Sequence, residues 1–141
     1  MRRAYLSPGL RSFCSSWLPV IAYCWLIYWQ SSHVTLKAVS AVDYFDKAIH
    51  LVVYAVLGIL LYRALACGRR DRPFGCMFLS FLLASVYGLS DEIHQYFVPF
   101  RQADLWDVLA DCLGSGLGVI AFGWLRHERR PLKPPHRALA D

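Results

Sequence analysis

The sequence predicts an all-α polytopic membrane protein: a bundle of four transmembrane helices with both termini cytoplasmic. Three observations lead there. Of 141 residues 57% are hydrophobic, a composition that suits either one small soluble domain or a few membrane spans. Those residues fall into four runs at nearly equal intervals, Phe13 to Trp29, Ala48 to Cys67, Phe74 to Gly88 continuing to Val98, and Leu105 to Leu125. A hydrocarbon core of about 30 Å takes about 20 helical residues, and the runs come close once tilt and polar ends are included. Finally, the basic residues gather at alternate ends of the runs.

The first run is short, contains Pro19 and follows the basic start "MRRAYLSPGLR", which also suits a signal peptide. No small-residue cleavage signal follows "IYWQSS", so an uncleaved first span is expected. Asp46, Lys47, His50 and Tyr54 open the second helix, and Arg63 with the loop "CGRRDRP" closes it. The third begins with the uncharged "FGCMFLSFLLASV" and ends in "GLSDEIHQYF". Asp104, Asp107 and Asp111 open the fourth, and the basic, Pro-rich tail "RHERRPLKPPHRALAD" follows it as an expected disordered segment near anionic head groups. The expected organisation is a basic N-terminus over residues 1–12, one membrane domain over 13–126 and the tail over 127–141.

Arg2, Arg3 and Arg11 precede the first run, Arg63, Arg69, Arg70 and Arg72 lie around the second loop, and Arg126, Arg129, Arg130, Lys133 and Arg137 follow the fourth. The other two connections hold Lys37, Lys47 and Arg101. The positive-inside rule then puts both termini and the second loop in the cytoplasm. The formal charge of +5 thus reports orientation rather than a nucleic-acid partner. Cys14, Cys24, Cys67, Cys76 and Cys112 form no CxxC pair and lie in or beside apolar runs, as small membrane-buried hydrophobes do.

With this topology the start of the second helix, the end of the third and the start of the fourth share one outward-facing depth. At about 100° per residue, Asp46, Lys47, His50 and Tyr54 fall within an arc of roughly 100°, as do Asp91, Glu92 and Gln95, whereas His94 lies roughly 60° off its neighbours. Asp104, Asp107 and Asp111 share a side with Gly114, Ser115 and Gly118, and Gly58 and Gly88 continue the polar faces of the other two helices. Small residues let helix backbones approach in lipid, so the three faces are expected to meet around a polar pocket open to the outside. Ionisable side chains in a membrane pair with one another or face a wet cavity.

Among these residues His50 is either a satisfied core histidine or an acid/base group active near neutral pH. Asp91 and Glu92 are adjacent carboxylates whose repulsion a divalent cation would relieve, which makes Asp91, Glu92 and Asp107 the candidate metal ligands. Arg101 suits either a partner for these acids or a bidentate hold on phosphate. Asp46 and Asp104 are in N-cap positions, and Lys47 has the reach to snorkel to the head groups.

The segments "DKAIHLVVYAVLG", "SDEIHQYFVPFR" and "DVLADCLGSGLG", in this order over about residues 17 to 125, resemble the VanZ-like membrane protein family. Two positions depart from its pattern: Asp111 stands where an Asn is common, and Phe100 where a Gly often precedes the Arg. The family is named for a protein associated with low-level teicoplanin resistance, and has been grouped with lipid head-group exchanging enzymes and with toxins acting on lipid-linked cell-wall precursors. The resemblance implies a multi-pass protein of the bacterial cytoplasmic membrane, with membrane lipids or lipid-linked precursors as partners.

Phosphoester cleavage or exchange at such a head group needs a base, compensation for phosphate charge and an accessible pocket. His50 would be the base or nucleophile, with Asp91, Glu92 and Asp107 as orienting acids or metal ligands. Arg101, Lys47, Tyr54, Gln95, Asp46 and Asp111 would bind the head group. The alternative is a non-catalytic protein whose polar layer binds a lipid head group or glycopeptide, or locks the bundle. An ion pathway fits less well, because no matching polar set continues through the inner half.

Overall fold

The computed structural model describes residues 8–32, 43–67, 72–99 and 103–128. Within them the chain forms α1 (Pro8–Ser31), α2 (Asp43–Leu65), α3 (Pro73–Phe97) and α4 (Leu105–Glu128). Each has 23 to 25 residues, which at about 1.5 Å per residue is about 35 Å of helix.

Local sequence sets several of the ends. Pro73 opens α3, where its missing N–H would lack a helical partner anyway. Val98 leaves the helix in extended backbone, and Pro99 follows it. Asp104 caps α4: its Oδ1 accepts from the Trp106 N–H at 2.9 Å while its carbonyl accepts from the Asp107 N–H at 3.0 Å. Pro19 lies inside α1 without ending it. α1 starts at Pro8, within the segment expected to precede the first span, and the tail beyond residue 128 lies outside the described residues.

Three helices are long and apolar enough to cross a membrane, over Phe45–Leu65, Pro73–Phe97 and Leu105–Arg126. α1 is not among them. It is as long as the others, but Trp17, Trp25, Trp29, Tyr23, Tyr28 and its serines dilute its apolar run.

The distribution of polarity is inverted relative to a water-soluble protein. Phe74, Phe97, Leu105, Trp106, Leu113 and Trp124 are exposed, whereas His50, Asp91, Glu92, Gln95, Asp107 and Asp111 are buried. Lipid rewards the first group and penalises the second unless protein surrounds it.

The most extensive helix contact joins α2 and α4, and glycines make it possible. Gly114 lies against the Leu51 carbonyl and Gly118 against that of Ala55, so close that a methyl at either would collide with backbone. Gly58 faces back, where a methyl would stand 2.6 Å from the Ser115 carbonyl oxygen. The GxxxG spacing on α4 thus meets Leu51, Ala55 and Gly58 on α2, and the two backbones pack without intervening side chains.

α3 closes the trio, and α1 packs on α2 and α3 but not on α4. Hydroxyls attach it: Tyr23 Oη donates to the Val53 carbonyl at 3.2 Å, and Tyr87 Oη to that of Cys24 at 2.6 Å. Below the polar end the core is apolar, with Leu57, Leu61, Ala64 and Ala84 in one cluster and Tyr62, Ala66, Cys76 and Val119 in another.

Candidate functional site

Because α2 and α4 run in the same direction and α3 runs opposite, the start of α2, the end of α3 and the start of α4 meet at one end of the bundle. The backbone contact between α2 and α4 brings their polar faces within bonding range. Lys47 Nζ lies 2.7 Å from Asp104 Oδ2 and 3.2 Å from Asp107 Oδ1. One turn deeper, His50 Nδ1 lies 2.9 Å from Asp111 Oδ1. A carboxylate only accepts, so in the neutral imidazole this bond puts the proton on Nδ1 and leaves the Nε2 lone pair open.

α3 supplies the third wall. Gln95 Nε2 donates to Asp91 Oδ2 at 3.1 Å within the helix, which ties Asp91 to its own element. Glu92 reaches across, its Oε2 accepting from the Asp104 N–H at 3.1 Å at the start of α4. Gly88 makes room for Asp111, since a methyl there would stand 2.8 Å from Asp111 Oδ2.

Access is graded with depth. The side chains of Lys47 and Asp104 are 29% and 38% exposed, while that of Asp107 is 1% exposed and that of Asp111 fully buried. Tyr54 forms the floor, its ring parallel to that of His50 at 6.4 Å. Three buried oxygens on these walls, Tyr54 Oη, Glu92 Oε1 and Asp111 Oδ2, have no hydrogen-bond partner among the described residues.

The structure therefore brings together Lys47, His50, Tyr54, Glu92, Asp107 and Asp111. Asp46 is half-buried and lies inside α2 instead of at the expected N-cap, because the helix already starts at Asp43, and Asp91 bonds Gln95 on its own helix. Arg101, expected as a phosphate ligand, lies outside the described residues. The expected metal set of Asp91, Glu92 and Asp107 is arranged differently: ligand atoms of His50, Glu92 and Asp111 lie within 4.8 Å of one another, as do those of Asp46, His50 and Asp107, and Asp91 belongs to neither group. Arc positions on single helices cannot give this pairing, which depends on how the helices are rotated against one another.

Two roles escape the sequence reading. Asp104 caps its helix with one oxygen, as expected, but with the other it also holds Lys47, which the sequence did not show. His94, off the polar arc, serves α1: Ser32 Oγ already donates to the Tyr28 carbonyl at 2.8 Å, so it accepts from His94 Nε2–H at 3.1 Å.

Apolar helices turned outward around ionisable side chains turned inward define an integral membrane protein with a polar site at one end of its bundle. The chain belongs to the VanZ/LLP1 family, whose model matches residues 10–126. It is 33% identical over 86 residues to the uncharacterised protein C11E3.10 of Schizosaccharomyces pombe, a match covering 60% of this chain and 50% of the yeast protein. The chain thus spans about half the length of that relative. No solved structure matches it.

Proposed function

We propose that this protein is a four-span enzyme of the bacterial cytoplasmic membrane that cleaves or exchanges a phosphoester at the head group of a lipid or lipid-linked precursor. Both termini are cytoplasmic in this reading, and the polar site faces outward. Arg63 and Arg126, near the opposite ends of their helices, agree with that orientation. The exposed Leu18, Ile21 and Leu26 of α1 suit a fourth span.

The observation that carries the reading is the buried His50–Asp111 bond. Asp111 holds the ring in one tautomer, and Nε2 takes the proton of an attacking hydroxyl, from water for cleavage or from an alcohol for exchange. That oxygen forms its bond to phosphorus as the bond to the departing oxygen breaks, and the imidazolium returns the proton to the departing oxygen. Such a base contributes about 10²–10⁴-fold to rate. Lys47 at the exposed rim, and Arg101, would offset phosphate charge.

A second reading, a non-catalytic layer that binds a head group or locks the bundle, draws on the Lys47 and His50 pairs, which stitch α2 to α4. Magnitudes weigh against a pure lock. Interhelical polar contacts in membranes average about 0.6 kcal/mol, a small return for burying several ionisable side chains together.

The test is the purified protein in liposomes holding phospholipids and polyprenyl-linked precursors, with the lipids read by mass spectrometry. A new or freed head group that disappears in His50→Ala is the expected result. No change across that panel would contradict the enzymatic reading.

A further inference from the structure

Glu92 and Asp111, two of the carboxylates beside His50, each have one oxygen engaged and one to spare. Glu92 Oε2 accepts from the Asp104 N–H at 3.1 Å and Asp111 Oδ1 from His50 at 2.9 Å. Their other oxygens, Glu92 Oε1 and Asp111 Oδ2, are buried without a hydrogen-bond partner among the described residues. The two residues are 3% and 0% exposed, so bulk water does not satisfy those oxygens. The two residues are also in reach of one another, because one ligand atom from each of His50, Glu92 and Asp111 lies within 4.8 Å of the others.

The surroundings sharpen this. Asp46, Asp91, Glu92, Asp104, Asp107 and Asp111 outnumber Lys47 and His50, the basic groups bonded among them. Lys47 is bonded at the rim to Asp104 and Asp107. Gly88 seats the Asp111 side chain directly against α3, since a methyl at Gly88 would stand 2.8 Å from Asp111 Oδ2 and 2.9 Å from its Cβ.

We propose that Glu92 and Asp111 hold a hard divalent cation of the Mg²⁺ or Mn²⁺ kind beside His50. Carboxylate oxygens select such ions, and Mg²⁺ is usually bound by one or two carboxylates while waters and substrate phosphate complete its shell. Two protein carboxylates in a phosphate-handling site match that habit. Binding of the ion stands on the donor geometry alone, and its use on phosphate rests on the proposed function.

The test uses the full chain in phosphatidylcholine nanodiscs, titrated with MnCl₂ and followed by electron paramagnetic resonance of the free ion. The expected result is saturable binding at about one ion per chain, displaced by MgCl₂. Glu92→Gln removes a donor and Gly88→Ala pushes the Asp111 side chain out of its seat with every donor retained; each should weaken binding at least about tenfold. Glu128→Gln, at the other end of α4, should bind as the parent does. Absence of saturable binding in the parent overturns the proposal, as does equal binding by Glu92→Gln, or a loss in Glu128→Gln as large as in Glu92→Gln.

Should the variants not fold, selectively labelled histidine in the parent decides. Bound Mn²⁺ should broaden the His50 ring resonance before any other histidine, and an unaffected His50 at saturation overturns the site. Mn²⁺ binding without lipid turnover keeps the ion and removes the phosphoester reading. Turnover that persists in chelator, without Mn²⁺ binding, does the reverse.

Discussion

The two ends of this bundle are built from the same helices and solve different problems. At the end where Arg63 and Arg126 lie, Leu61, Ala64, Tyr62 and Val119 pack against one another. Polar side chains there reach backbone: Arg126 donates to the Ala66 carbonyl at 3.0 Å and Arg63 to that of Ser15 at 3.2 Å. At the other end polar side chains from three helices meet each other, and several buried oxygens are left over. A bundle that only had to hold together would need nothing beyond the first arrangement. The difference teaches that apolar packing and buried polarity are divided along the helix axis, with the glycine contact of α2 and α4 serving both.

That division can be broken outright at the shared contact. Gly114→Leu drives a side chain into the Leu51 backbone, next to which no flexible group can yield. The cost should exceed the about 1–3 kcal/mol of ordinary overpacking, and little folded protein should survive detergent extraction and size-exclusion chromatography. Leu61→Ala strikes one end alone. It should cost about 2–5 kcal/mol, lowering the thermal midpoint while turnover per folded molecule remains at the parent value. The smallest effect is expected for Asp104→Ala at the rim, where loss of the cap costs about 1 kcal/mol. It also frees Lys47 from one partner, so the lipid assay should show a change in apparent substrate affinity larger than the change in stability.

Much of this was legible in sequence, for a physical reason. A chain in lipid displays its spans as apolar runs, and the expected bounds of the later three helices lie within a few residues of the observed Asp43–Leu65, Pro73–Phe97 and Leu105–Glu128, apart from the first turn of α2. Helical rotation likewise put His50, Glu92 and Asp107 on faces that do converge. α1 was harder to place because Trp and Tyr suit a membrane interface while diluting an apolar run. The pairings were out of reach: Asp111 instead of a neighbouring acid bonds His50, and Asp91 turns to Gln95. They follow from helix rotation and offset, set here by where Gly114 and Gly118 seat on Leu51 and Ala55.

The claim that the polar end exists for chemistry is tested most directly by measuring folded abundance and lipid turnover on the same preparations of His50→Gln. Glutamine keeps polarity at that position while removing the base. The account predicts near-parental abundance with turnover reduced about 10²–10⁴-fold. Turnover that falls only in proportion to abundance would contradict it and make the layer a lock.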